Sequence, residues 1–134
     1  RSLGLDIGDK RIGVALSDPQ GILASPFTII NRHDNQRDIE AIIGVVTQKQ
    51  VGRIIIGLPL SMNGSTGQQA EKVKTFTREL CDQTEVPVEF RDERLSTVSA
   101  RRLMKTVKRA KKVSHDDAMA AAVILQSYLD ETTP

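Results

Sequence analysis

Leu3, Leu5 and Ile7 alternate with Gly4, Asp6 and Gly8, a period of two that predicts a strand with one apolar face and a second face carrying a carboxylate between glycines. Asp9-Lys10 has the chemistry of a tight turn, after which Ile12, Val14 and Leu16 alternate with Arg11, Gly13 and Ala15 and predict the second strand of a hairpin. Asp18-Pro19-Gln20-Gly21 predicts another turn and residues 25–31 a third strand, which completes an antiparallel meander. The period then changes. Ile39, Ile42, Ile43 and Val46 recur at i, i+3, i+4 and i+7 and predict an amphipathic helix over 38–48, in a region ended by Gly52. Arg53-Ile54-Ile55-Ile56-Gly57 is a short continuous apolar run, the pattern of a central parallel strand covered on both faces. It empties into a turn-rich stretch at 58–65, at a strand's carboxyl end, where open α/β sheets bind ligands.

A second helix is predicted over 66–82, with Ala70, Val73, Phe76 and Leu80 inward. Residues 86–91 read as a fifth strand whose Pro87 suits an edge or the first ladder position. Ser96 is placed to cap a helix reaching about residue 107, and Ser114 to cap a last helix over 116–129. Positions 118–125 of that last helix are almost wholly apolar, as in a buried helix, and the tail from Glu131 is expected to fray. The order β-β-β-α-β-α-β-α-α predicts an α/β fold, a mixed five-stranded sheet with helices on both faces, in one domain over 1–134.

Composition adds boundaries. In 134 residues there are 39% apolar residues, 3% aromatics and a net charge of +2, which says nothing by itself about partners. The single cysteine, Cys81, excludes an internal disulfide framework or a cysteine-based zinc site, and points to a reducing cytoplasm. No apolar run reaches membrane-spanning length, so no membrane association is expected. The charge is unevenly spread: Arg101, Arg102, Lys105, Lys108, Arg109, Lys111 and Lys112 form a basic stretch without an acid, next to an acid-rich one holding Asp82, Glu85, Glu89, Asp92 and Glu93. A solvated helix face would explain the first; a polyanion bound beside acids that do metal chemistry would explain both.

Three regions could supply those acids. Asp6 inside a strand needs a partner or a cation, and turn amides or Arg11 could satisfy it instead. Asp92-Glu93 follows the fifth strand, and only one of two adjacent carboxylates can share a pocket with Asp6; an acidic flank for the helix after Ser96 is the structural alternative. Asp117 shares a helical face with Ala121, Ile124 and Tyr128, although Ser114 and Asp117 also fit a capping box, and Asp116 is its rival. Carboxylates gathered in one pocket repel unless a divalent cation neutralises them, and an all-oxygen site suits Mg²⁺ or Mn²⁺. Such a site beside bound phosphates supports metal-assisted phosphodiester hydrolysis.

Four blocks carry a more specific likeness: Leu5-Asp6-Ile7-Gly8-Asp9-Lys10-Arg11-Ile12-Gly13-Val14-Ala15, Gly57-Leu58-Pro59 with Asn63-Gly64-Ser65, Asp92-Glu93-Arg94-Leu95-Ser96-Thr97, and Asp117 ahead of Ala120-Ala121-Ala122-Val123-Ile124-Leu125-Gln126. In this order, across nearly the whole chain, they resemble the YqgF/RuvX family. That resemblance implies a ribonuclease H-like fold and a nuclease, either maturing the 5′ end of pre-16S rRNA in ribosome biogenesis or resolving Holliday junctions in branched DNA. It also implies that Asp6, Glu93 and Asp117 are the catalytic carboxylates and the ligands of Mg²⁺ or Mn²⁺. Arg11, Lys105, Lys108, Arg109, Lys111 and Lys112 are then candidates for nucleic-acid contact, in a monomer or weak homodimer. His115-Asp116 departs from the family's more usual lysine-then-aliphatic pair, which keeps Asp116 in contention.

Two other classes fit parts of the pattern. Actin-like ATPases and sugar kinases also open on Asp-x-Gly in a first strand, but they close two lobes on ATP and a chain of 134 residues supplies one. A non-catalytic nucleic-acid-binding module would keep the fold and hold RNA regardless of metal.

Overall fold

A computed structural model describes residues 1–59, 67–92 and 116–132, without the side chains of Asp116 and Asp117. Most of the loop at 58–65, the helix expected over 96–107, the basic stretch at 101–112, Ser114 and Glu93 lie outside the described residues. Three strands come first, β1 (Ser2–Ile7), β2 (Arg11–Ser17) and β3 (Ala24–Asn31). Then follow α1 (Asn35–Gln48), β4 (Arg53–Leu58), α2 (Gln68–Cys81), β5 (Val88–Asp92) and α3 (Asp116–Thr132). The strands form one sheet in the order β3-β2-β1-β4-β5, antiparallel on the β3-β2-β1 side and parallel on the β1-β4-β5 side. The mixed sheet expected from the chain order is therefore present, and the parallel strands β1, β4 and β5 all end at the same edge.

Alternation along β1 divides its side chains between two layers. Leu3, Leu5 and Ile7 join Ile12, Val14, Ile54 and Ile56 under α1 and α2, whose Ile39, Ile42, Val73, Phe76 and Leu80 complete the larger core. Ala15, Ala24 and Ile55 face the other way, against Ala121, Ala122, Ile124, Leu125 and Leu129 of α3. Small residues on that second face let the helix lie very close. A Cβ placed on Gly4 would stand 2.7 Å from the Leu125 Cβ and 2.8 Å from the Ala121 carbonyl oxygen.

Several boundaries moved for identifiable reasons. Helix α1 begins at Asn35 because the Asp34 side chain caps it, accepting from the Arg37 amide at 2.8 Å, a signal absent from apolar periodicity. Gln50 (φ 54°), rather than Gly52, takes the left-handed conformation after α1. Pro87 precedes β5, an edge strand; it cannot donate, but its carbonyl accepts from Ile54. The end of α3 does not fray at Glu131: the helix continues to Thr132, with Arg91 bonded to the Glu131 carboxylate. No helix among the described residues is long and apolar enough to cross a membrane.

Replacing Gly4 by alanine should therefore push α3 off the sheet rather than help β1. The expected result is a loss of about 1–3 kcal/mol in urea unfolding, the usual cost of overpacking a dense contact.

Candidate functional site

Asp6 lies on the α3 face of β1, which is the central strand of the sheet. Gly13 of β2 stands directly opposite it, and Gly57 follows Ile56, the β4 partner of Leu5. Half-buried Asp6 thus has glycines at the neighbouring positions of both adjoining strands. Bareness along β1 itself has a different origin. Gly4 is bare because Ala121 and Leu125 occupy the space, and a Cβ on Gly8 would meet the Arg11 carbonyl oxygen at 2.9 Å inside the hairpin. The glycines flanking Asp6 on its own strand therefore serve helix packing and the turn, not ligand approach.

Helix α3 is oriented by two contacts. The Gln126 amide receives the Ala24 N–H at 2.9 Å and donates to the Ile22 carbonyl at 3.0 Å, which ties it to the edge where Ser17 receives the Ser2 amide. Ala121 and Leu125 then sit over Gly4, so the first turn of α3, opening at Asp116-Asp117, is directed toward the carboxyl ends of β1, β4 and β5. A helix amino terminus and the central-strand carboxylate share one edge.

Strand β5 fixes the face of the sheet on which Asp92 stands. Arg91 faces α3, donating to Ser127 at 2.7 Å and pairing with Glu131. Asp92, the next residue of an extended strand, therefore belongs to the α1–α2 side with Val88 and is separated from Asp6 by the sheet. Among the described residues no three His, Cys, Asp or Glu side chains come close enough to hold a metal ion. Asp6 belongs to the described set; Glu93 and the side chain of Asp117 do not. As an oxygen donor Asp6 fits a hard cation rather than a soft one. Arg11 is exposed at the start of β2, while Lys105, Lys108, Arg109, Lys111 and Lys112 lie outside the described residues.

One charged pair at this edge escaped the sequence reading. Asp38 is only 1% exposed and accepts from Arg32 Nε at 2.7 Å and from the His33 amide at 3.2 Å. Its signal was available: Asp38 precedes Ile42 by one helical turn, on the same apolar stripe, and a carboxylate there requires a partner.

This architecture is the ribonuclease H-like fold. RuvC from T. thermophilus, solved with a Holliday junction substrate, superposes with a TM-score of 0.73 over 98% of this chain and 96% of its own at 12% identity. The fowlpox virus resolvase bound to junction DNA does so with a TM-score of 0.60 over 99% of both chains, also at 12% identity. At the level of sequence, the chain belongs to the RuvX family, described as Holliday junction resolvase, whose profile matches residues 1–131. A protein of Dehalococcoides mccartyi named "Putative pre-16S rRNA nuclease" is 52% identical over 128 residues, 96% of each chain. One of the same name from Clostridioides difficile is 47% identical over 132 residues, covering 97% of this chain and 94% of the relative.

The Arg91–Glu131 pair ties the carboxyl end of β5 to α3 and has a pH signature. Its hydrogen bond holds the Glu131 carboxyl below the ordinary 4.5 and raises the Arg91 guanidinium, partial burial opposing both shifts. A carboxyl depressed on folding stabilises the protein above its unfolded value and loses that contribution as pH falls through the folded value. Urea midpoints of the native chain and of Glu131→Gln should therefore differ at neutral pH and converge below the ordinary glutamate range.

Proposed function

We propose that this chain is a divalent-metal-dependent nuclease that hydrolyses phosphodiester bonds, acting as one domain over 1–134 on the 5′ end of pre-16S rRNA during cytoplasmic ribosome biogenesis. The observation that carries this reading is the placement of Asp6: a half-buried carboxylate on the central strand, on the face of α3, at the edge toward which that helix opens. Asp6, Glu93 and Asp117 would supply the hard oxygen donors that Mg²⁺ or Mn²⁺ takes. With such ions bound, a carboxylate site gains an activated water and a stabilised leaving oxygen. Asp117 is preferred to Asp116 because it lies one turn before Ala121, which packs over Gly4 two residues from Asp6. Arg11 and the basic residues Lys105, Lys108, Arg109, Lys111 and Lys112 would hold the phosphate backbone.

Ribosomal RNA is favoured over branched DNA by the relatives that share about half of this sequence and carry the rRNA name, whereas the likeness to junction-bound resolvases at 12% identity concerns fold alone. A monomer or weak homodimer suffices for trimming an RNA end; resolving a junction requires a symmetric pair of sites.

The deciding experiment gives purified protein Mn²⁺ or Mg²⁺ with precursor 16S rRNA and with a four-way DNA junction in parallel. Metal-dependent shortening of the rRNA 5′ end is expected, abolished by chelator and by Asp6→Asn, with the junction intact. Paired symmetric nicks in the junction would transfer the reading to branched DNA. RNA binding that survives chelator and Asp6→Asn without any cleavage would leave a binding module.

A further inference from the structure

On the side of the sheet away from α3, the turn that follows Asp6 is held by a second set of residues. A cleft of about 460 Å³ opens there, bordered by Ile7, Asp9, Arg32, Asn35, Gln69 and Lys72. Arg32 dominates it. Its Nη1 donates to the Gly8 carbonyl at 2.9 Å, its Nε to Asp38 at 2.7 Å and its Nη2 to Asn35 Oδ1 at 2.7 Å. Its backbone amide donates to the Lys10 carbonyl at 2.9 Å, and its guanidinium carbon lies 5.2 Å from the centre of the Phe76 ring. Gln69 adds a bond to the Ile7 carbonyl at 3.2 Å, and Lys72 reaches Asp9 at 3.4 Å.

We propose that Arg32 is a positioning residue for Asp6: its guanidinium fixes the Gly8 peptide and thereby the direction in which β1 presents its carboxylate on the opposite face. This rests on the reading of Asp6 as a metal ligand. The physical case begins with Gly8, which has no side chain to restrict its own torsions, so the turn needs an external restraint. Within the hairpin, the Gly8 amide donates to the Arg11 carbonyl at 2.9 Å; its own carbonyl goes to Arg32. Stability alone does not explain the arrangement. A buried ion pair pays a desolvation cost that a well-packed apolar pair avoids. What an apolar pair cannot supply is a donor for the Gly8 carbonyl. Lysine offers a donor but not the fork: its single ammonium cannot span the Gly8 carbonyl, Asp38 and Asn35 together as the guanidinium does.

The test compares the native chain with Arg32→Lys and with the double variant Arg32→Met/Asp38→Leu, which removes the fork and leaves no buried carboxylate unpaired. Two quantities are read at a temperature where all three are folded: Mn²⁺ affinity, from the electron paramagnetic resonance signal of the free ion, and hydrogen exchange of the Gly8 amide. Both variants should bind Mn²⁺ about tenfold more weakly or worse, the usual effect of losing a group that orients a ligand. Their Gly8 amide should exchange faster, and excess Mn²⁺ should restore cleavage toward the native rate. Folded variants with native Mn²⁺ affinity and native Gly8 exchange would overturn the proposal and reduce Arg32 to a packing residue. If the native chain itself took up no Mn²⁺, the reading of Asp6 as a ligand would fail, while unchanged Gly8 exchange in the variants would separately overturn the restraint.

Discussion

The contact of α3 with the bare backbone of β1 at Gly4 is the constraint from which the geometry of the candidate site follows. A helix normally stands off a sheet by the thickness of two side-chain layers. Here Ala121 and Leu125 meet a strand position with no side chain at all, and the helix sinks to the depth that Gly4 permits. That depth sets where the first turn of α3 lies relative to the central strand. The Gln126 amide, bonded to both Ala24 and Ile22, fixes the helix along its axis, and Arg91 draws its far end toward β5. A single missing methyl group therefore controls the approach of two elements more than a hundred residues apart in the chain.

The two faces of the sheet do different work. The α1–α2 side holds the longer aliphatic residues and Phe76, which provide most of the area removed from water. The α3 side is a smaller cluster in which alanines alternate with Ile55, Ile124, Leu125 and Leu129, and the bare Gly4 lets the helix approach the strand closely. Charge is distributed in keeping with this. Pairs such as Arg53–Glu89 and Arg37–Asp34 lie in solvent and contribute little. The Arg32–Asp38 pair stands at the border of the larger core, with Asp38 buried and Arg32 partly exposed; its hydrogen bonds reach the turn next to Asp6, where the stabilising face touches the functional one.

Much of this was legible in the chain. Alternation in β1 and β2, the aliphatic run of β4 and the apolar stripe of α1 each report a local periodicity, and each became the element it predicts. The motif around Asp6 likewise announced a strand with an unusual face. Misreadings occurred where a long-range partner intervened. Glu131 suggested a free tail and is bound by Arg91; Asp38 passed unnoticed until Arg32 stood beside it.

The order of the described elements and their strand or helix character are properties of neighbours in the chain, so periodicity and residue type were enough for them. Which face Asp92 occupies, how deeply α3 sits and what restrains the Gly8 peptide depend on pairs such as 4 with 125, 8 with 32 and 91 with 127. Such pairs acquire a distance only when the sheet and its two helical layers pack together, because the free energy that brings them into contact comes from burial shared across the whole core and not from any single segment.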